Sequence, residues 1–336
     1  MPRRRTRPTS AMASRPADEA ERPLRFGKRL SYRLQAVPLF GLMRLARAFD
    51  VDRASDLGGK VGRRFAPLLR KSATLATIRT AFPELDAAGA LKVVDGMAEN
   101  LGRTVAETAH LADFMGEAGR RRFTFEGPEH LDAARATGRP LLVISGHFGN
   151  WEAIFPAMHH AGIRAAGITR RPNNPYVADW FADNRTRLGF DQQYPKGSDG
   201  TRQMLTRFRR GGDVAMLVDQ HLAQGIPAPL FGQAAMTVHT PAILALRHGV
   251  TVLPIAVRRE PEGARFRVLF YPPLRSPDSG NEGTDTLALT TQLNRFVETE
   301  VRARPSEWLW MHPRFRPVAG LTARAARLID QADTAV

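Results

Sequence analysis

The pattern of apolar residues along the chain changes near residue 139. Residues 25–125 hold Ala- and Leu-rich stretches whose spacing predicts helices. From about residue 139 onward, continuous apolar runs of strand length alternate with helix-length stretches, and such runs are typical of strands buried on both faces of a sheet. Breaks in the helical region are expected at Gly58-Gly59, Pro67 and Pro83.

The second region predicts five strands separated by helices. The strands are expected at residues 139–146, 163–170, 213–220, 251–260 and 265–273. Helices are expected up to about residue 162 and at residues 174–189, 198–210, 237–249 and 285–303. This alternation predicts an α/β fold, a mixed and mostly parallel sheet flanked by helices, with a helical N-terminal region. Functional residues of such sheets lie beyond the carboxyl ends of the strands.

The chain divides into four predicted segments. These are a disordered basic leader (1–24), a helical N-terminal region (25–125), an α/β core (126–320) and a C-terminal tail (321–336). The leader lacks the apolar stretch of a secretory signal, so cytoplasmic residence is the default expectation. Residues 1–30 contain nine Lys or Arg against three acidic residues.

The apolar stretch LQAVPLFGLM, residues 34–43, lies between arginines. It is too short to cross a hydrocarbon core, which needs about 20 residues. Two interpretations remain open, a helix lying in the plane of a membrane interface or an amphipathic helix that covers the core.

Charge narrows the range of partners. The net charge is +16, from 49 Lys and Arg against 33 Asp and Glu, which favours polyanions such as nucleic acid, anionic lipid surfaces or acidic carrier proteins. Aromatic residues make up only 8% of the chain and basic residues are spread throughout, so nucleic acid is not expected as a partner. The absence of cysteine excludes disulfides, thiolate zinc sites and cysteine nucleophiles.

The first predicted core strand leads directly into the sequence GHFGNWE, which begins at Gly146. Gly146 and Gly149 permit a tight turn, and Asn150 is a suitable helix cap. His147 and Glu152 can meet only if the histidine lies in the turn and the glutamate in the first helical turn. A carboxylate near an imidazole makes a general base for a hydroxyl. The alternative is a polar turn residue followed by an ordinary charge at a helix start.

GHFGNWE resembles the hallmark block of the bacterial lipid A late acyltransferases, whose motif is His, four residues, then Asp or Glu. Three further blocks are similar in the same order, so the resemblance extends roughly over residues 30–318. They are the arginine-proline-asparagine segment and helix at 168–189, the Asp-Gln and Phe-Gly blocks within 213–259, and WLWMHPRFR at 308–316.

The resemblance implies that His147 and Glu152 are the catalytic pair. It also implies residues that bind substrate or the oxyanion, namely Arg171, Arg185 and Asp219, with Arg170 and Arg187 as alternatives for the arginines. The implied reaction moves a fatty acyl chain from acyl carrier protein to a hydroxyl of a lipid A precursor. No cofactor or metal is implied.

The expected partners are the acyl carrier protein, the lipid A precursor and an anionic membrane surface. The expected location is the cytoplasmic face of the inner membrane, peripheral or monotopic. Two other functions remain open. One is acylation of another glycolipid or of a lysophospholipid, and the other is a non-enzymatic basic protein that binds membranes or nucleic acid.

Overall fold

A computed structural model describes residues 26–169, 172–187, 193–195 and 197–316. The predicted leader and C-terminal tail lie outside the described residues. The N-terminal helices are α1 (Phe26–Ala46), α2 (Val51–Arg64), α3 (Ser72–Ala81), α4 (Ala87–Thr108) and α5 (Gly116–Arg120), with 3-10 turns at Ala66–Leu69 and Leu111–Phe114. Carboxylate side chains of Asp50 and Asp86 accept backbone N–H groups at the starts of α2 and α4.

The predicted break at Gly58-Gly59 is wrong, because α2 continues through both glycines. The glycines allow α2 and α4 to pack with their backbones in close approach. A Cβ atom on Gly58 would lie 2.4 Å from the carbonyl oxygen of Gly102, and one on Gly102 would lie 2.1 Å from that of Gly58. Glycine lowers helix propensity by about 1 kcal/mol, and here the tertiary packing overrides that preference.

The α/β core begins with a short edge strand and continues to the end of the described chain. Its strands are β1 (Phe123–Glu126), β2 (Leu141–Ser145), β3 (Ala165–Thr169), β4 (Gln193–Pro195), β5 (Asp213–Leu217), β6 (Ile226–Leu230), β7 (Gln233–Thr237), β8 (Thr251–Arg259) and β9 (Phe266–Phe270). Its helices are α6 (Pro128–Ala136), α7 (Ile154–His160), α8 (Pro175–Arg187), α9 (Ser198–Arg209), α10 (Thr240–His248) and α11 (Glu282–Ala303), with a 3-10 turn at Pro305–Glu307.

Within the described residues the main sheet has seven strands in the order β1-β9-β8-β2-β5-β3-β4. Neighbouring strands are parallel except β8 and β9, which are antiparallel. The predicted fold class, a mixed and mostly parallel sheet flanked by helices, is confirmed. All five predicted strands are present within the expected ranges.

Four of the strands, β1, β4, β6 and β7, were not predicted from the sequence. β1 and β4 have four and three residues, too short for a clear periodic signal. β6 contains Pro227 and Pro229, which argue against a strand in a sheet interior. It forms a separate two-stranded hairpin with β7, where the turn residues Phe231 and Gly232 both have positive φ.

The central strand β2 is buried along its whole length, with side chains packing on both faces of the sheet. Leu142 and Ile144 belong to the core beneath α3, α4, α10 and α11, whereas Leu141 and Val143 pack against residues of α7 on the other face. Burial on both faces fixes the register of β2, because a shift by one residue would exchange its two faces. The position of the turn that follows β2 is therefore set by the core.

Candidate active site

The turn after β2 is constrained by close backbone packing and by side-chain hydrogen bonds. Gly149 has a φ of +54°, and a Cβ atom there would lie 2.0 Å from the carbonyl oxygen of Val257, so a side chain cannot be accommodated. The Asn150 side chain accepts the backbone N–H groups of Glu152 and Ala153 at 3.0 and 3.1 Å. The path of the backbone between β2 and α7 is therefore closely constrained.

Glu152 is not in the first helical turn, where it was predicted, because α7 begins only at Ile154 and Glu152 lies in the irregular turn before it. Pro156 explains the difference, because proline has no N–H group to donate inside a helix and is tolerated in the first turn. A helix that began at Asn150 would have required a bond from that missing group.

His147 is positioned by Asp219. The imidazole Nδ1 lies 2.8 Å from Asp219 Oδ1, and the backbone N–H of His147 donates to Asp219 Oδ2, also at 2.8 Å. β2 and β5 are parallel neighbours in which Ser145 lies opposite Leu217. Two residues further along each strand, the same register brings His147 and Asp219 together at the carboxyl edge of the sheet.

Asp219 is buried, with 3% of its surface exposed, and Trp308 Nε1 donates to its Oδ2 at 2.7 Å. Burial raises the pKa of Asp219, but attraction to His147 and the hydrogen bonds from His147 and Trp308 outweigh burial and hold that pKa below its usual range. The carboxylate therefore stays ionised. An ionised partner fixes the proton on Nδ1 of His147 and leaves a lone pair on Nε2.

His147 and Glu152 line one cavity of about 610 Å³ at this edge of the sheet. Its polar lining residues include Gln220, His221, Thr240 and His312, and its apolar lining residues include Ile168, Phe181, Met204, Met216, Leu222 and Val238. The Glu152 residue is 9% exposed. The cavity is within the range of volumes that small-molecule sites have, about 300–1,000 Å³.

The structure brings three of the predicted site residues together, His147, Glu152 and Asp219. Arg170 and Arg171 lie outside the described residues. Arg185 and Arg187 lie on α8, where the structure describes the backbone and not these two side chains. No group of three potential metal ligands occurs within residues 26–169, 172–187, 193–195 and 197–316.

Sequence reasoning missed three residues that contact the site, Gln220, Trp308 and His312. Gln220 directly follows Asp219, so its place beyond a strand end was an available signal. Trp308 and His312 come from the closing segment, about 160 residues after His147, and only the folded chain brings them near it. The only sign of a role for them in the sequence was that both belong to WLWMHPRFR, the closing segment that resembles the family's.

A buried polar network connects the turn to the N-terminal helices. Asn150 Nδ2 donates to Glu107 Oε2 at 2.7 Å, and the Arg259 guanidinium pairs with the same carboxylate. Asn100 Nδ2 donates to the carbonyl oxygen of Gly149 at 2.9 Å. The helical layer thus contributes directly to the geometry of the turn that carries His147.

Comparison with known proteins adds an independent observation. A sequence model of the family described as bacterial lipid A biosynthesis acyltransferase matches residues 29–317. The chain is 24% identical to the lipid A biosynthesis palmitoleoyltransferase of Escherichia coli K12 over 275 residues, 78% of this chain and 85% of the relative. It is 27% identical to the lauroyltransferase of the same organism over 272 residues, 77% and 82% of the two chains.

Other relatives carry a different name. The chain is 28% identical over 194 residues to a phosphatidylinositol mannoside acyltransferase of Mycobacterium tuberculosis, covering 56% of this chain and 58% of the relative.

Proposed function

Because this chain belongs to the family of bacterial lipid A biosynthesis acyltransferases, as its motifs predicted, and is an acyltransferase, we propose a specific reaction for it. The protein transfers a fatty acyl chain from acyl carrier protein to a hydroxyl of a lipid A precursor. One observation supports this most strongly, the His147 imidazole at the cavity with Nδ1 bonded to a buried, ionised Asp219. That arrangement suits a base that removes a hydroxyl proton.

The proposed reaction uses His147 twice. Nε2 takes the proton of the acceptor hydroxyl as its oxygen attacks the carbonyl carbon of the thioester. The tetrahedral intermediate then collapses, the carbon–sulfur bond breaks, and the leaving thiolate takes the proton back from Nε2. Asp219 stabilises the imidazolium that forms between these steps, and Trp308 holds Asp219 in place.

In this scheme the partner of His147 is not Glu152, the residue that the motif predicted. The carboxylate bonded to Nδ1 is Asp219, which had been expected to bind substrate or the oxyanion. Glu152 stays a proposed catalytic-site residue because it is nearly buried and lines the same cavity.

Arg171 and Arg185 remain predicted substrate-binding residues, with Arg170 and Arg187 as alternatives. Substitution of a functional arginine by alanine should lower activity more than Arg209→Ala, a change at an exposed end of α9. Equal rates in all these variants would remove the arginines from the scheme.

The lining of the cavity and the charge of the chain suit the two substrates. The apolar lining residues offer contacts for an acyl chain, and burial of that chain is favourable by about 0.8 kcal/mol per methylene. The net charge of +16 attracts both an acidic carrier protein and an acceptor bearing phosphates or acidic sugars. No cofactor is needed, because the thioester is already activated.

We also propose that the protein docks on the cytoplasmic face of the inner membrane. No described helix is long and apolar enough to cross a bilayer. The support is an outer apolar face on α1, α2 and the following turn, where the side chains are 43–69% exposed: Leu34, Val37, Leu45, Leu57, Val61, Phe65 and Leu68. An apolar cavity of about 350 Å³ opens beside several of them. Basic residues along the same helices would add attraction to anionic lipid.

A second candidate acceptor is a different glycolipid. The 28% identity over 194 residues to a phosphatidylinositol mannoside acyltransferase supports this candidate. A lysophospholipid is a third acceptor to test. All three reactions would use the same base, so the acceptor cavity decides among them.

One experiment separates these acceptors. The purified protein is incubated with acyl-loaded carrier protein and a lipid A precursor, a phosphatidylinositol mannoside or a lysophospholipid. The masses of the products are then measured by mass spectrometry. We expect one added acyl chain on the lipid A precursor and none with His147→Ala. Transfer only to another acceptor would overturn the proposed substrate, and transfer by His147→Ala at the wild-type rate would overturn the proposed base.

A further inference from the structure

The side chain of Gln220 lies between two imidazoles at the cavity. Its amide nitrogen is 3.3 Å from Nε2 of His147 and 3.0 Å from Nε2 of His312. The two rings lie with their centroids 6.0 Å apart, and all three side chains line the cavity. Gln220 follows Asp219 beyond β5, and His312 belongs to the closing segment that also provides Trp308.

The proton on His147 determines which end of the Gln220 amide faces the rings. An ionised Asp219 fixes that proton on Nδ1, so Nε2 presents a lone pair. The group opposite a lone pair must be a donor, and in an amide only the NH2 end donates. The same nitrogen faces His312, so Nε2 of that ring accepts as well. One N–H group of Gln220 therefore points to each ring.

We propose that the side-chain amide of Gln220 donates a hydrogen bond to the oxyanion of the acyl-transfer intermediate, and that His312 positions it. This inference rests on the proposed function. The 3.3 Å contact with His147 lies at the long end of the hydrogen-bond range, so an acceptor hydroxyl can readily replace it. The shorter contact with His312 keeps the amide in place.

The proposed step begins when an acceptor hydroxyl replaces Gln220 at Nε2 of His147. The hydroxyl donates its proton to Nε2 of His147, and its oxygen bonds to the thioester carbonyl carbon. The carbonyl π electrons move to the carbonyl oxygen, which then accepts the N–H of Gln220 released from Nε2. When the carbonyl re-forms, the carbon–sulfur bond breaks and the thiolate takes the proton from Nε2. A neutral amide suits this role because it donates without competing for the proton.

The test uses full-length protein and steady-state kinetics of acyl transfer. Gln220→Met keeps the side-chain length and removes the donor, and we expect kcat to fall about 10²–10³-fold with KM unchanged. Gln233→Met, at an exposed glutamine beginning β7, is the matched control and should behave as wild type. A wild-type kcat for Gln220→Met, or a change confined to KM, would overturn the assignment.

His312 is tested through its dependence on Gln220. His312→Ala should lower kcat, and the double variant with Gln220→Met should be no slower than Gln220→Met alone, because His312 acts through that amide. His312→Gln, which keeps an acceptor oxygen, should recover part of the rate. Losses that multiply in the double variant would show that His312 does not act through Gln220.

These outcomes are separable from failure of the proposed function. If the wild type transfers acyl chains and His147→Ala does not, the proposed function stands whatever the Gln220 variants do. If the wild type transfers none to any hydroxyl acceptor, the function itself is wrong. Thermal melting of each variant establishes that the folded fraction matches the wild type.

Discussion

The inner and outer faces of the N-terminal helical layer reverse the usual distribution of polarity. On the inner face, Glu107 of α4 is fully buried and bonds Ser55, Asn150 and Arg259. On the outer face, Val61 of α2 and Phe65 are more than half exposed. Large charged groups are seldom buried without partners, whereas exposed apolar patches usually mark a binding surface.

This difference in polarity indicates that the two faces have different roles. The inner face fixes geometry, because each buried polar group must keep its partner and so restrains the turn that carries His147. The membrane docking proposed for the outer face needs only apolar area and positive charge, so its side chains can be exchanged with less consequence for the fold. Changes at the inner face and the site should therefore affect rate and stability, and changes at the outer face should affect location.

The largest effect on the rate of acyl transfer is expected at His147, the proposed general base. His147→Ala should lower acyl transfer by about 10²–10⁴-fold, because general-base catalysis contributes that much, while the protein stays folded. His159→Ala, at an exposed position near the end of α7, is the control and should keep the wild-type rate. A normal rate for folded His147→Ala would mean that the site has been assigned to the wrong residue.

The next largest effect is expected from Asp219→Asn. The rate of acyl transfer should fall on the order of 10²-fold or more, because the imidazolium of His147 loses its charged partner. The depressed pKa of Asp219 keeps it ionised across the working range, so the acid limb of the rate profile reports protonation of His147. Without the negative charge, the imidazolium is less stable and that limb should move to lower pH. An unchanged limb would exclude Asp219 as its partner.

Breaking the inner network should reduce stability. Glu107→Gln leaves Arg259 without its charged partner in a buried setting, which typically costs about 3–5 kcal/mol. Urea denaturation measures the loss. Glu99→Gln is the comparison, since its ion pairs with Arg63 and Arg103 are partly exposed and should each be worth about 1 kcal/mol or less. Equal losses in the two variants would contradict the structural role of the inner face.

The smallest effect on catalysis is expected at the outer face. Leu45→Glu and Val61→Glu should each weaken binding to anionic vesicles about 10–150-fold, because burying such a side chain contributes about 1.5–3 kcal/mol. Transfer to a detergent-dispersed acceptor should be unchanged. Ala133→Glu, which adds the same charge at an exposed position on α6, is the control.

The dependence of membrane binding on salt gives a second test of the proposed docking surface. High salt should release part of the protein from washed membranes, and more after deletion of residues 1–24, because salt screens the basic groups and leaves apolar burial intact. Extraction by detergent alone, with or without the leader, would contradict peripheral docking.

The two regions also differ in how far the sequence predicts them. The buried strands were predictable because continuous apolar runs are characteristic of a central parallel strand, and GHFGNWE could be placed at the end of one. The continuous α2 was not, since local propensity makes Gly58-Gly59 a break, and the packing partner Gly102 is 44 positions further on. Helix contacts of that range leave no local signal.

The partner of His147 shows the same limit. A motif that joins His147 to Glu152 along the chain suggested that pair, whereas parallel strand register brings in Asp219 from 72 positions away. Trp308 completes that contact from still further along. A single sequence contains the residues of the site, but the strand order that selects among them comes from the folded sheet.

The central claim is acyl transfer to a lipid A-type acceptor through His147. The most direct measurement is mass spectrometry of lipid A from cells with the gene deleted and then restored with either the wild-type or the His147→Ala chain. We predict that the wild type restores a species heavier by one acyl chain and that His147→Ala does not. Lipid A of identical mass in the deleted and restored cells, or full restoration by His147→Ala, would contradict the account.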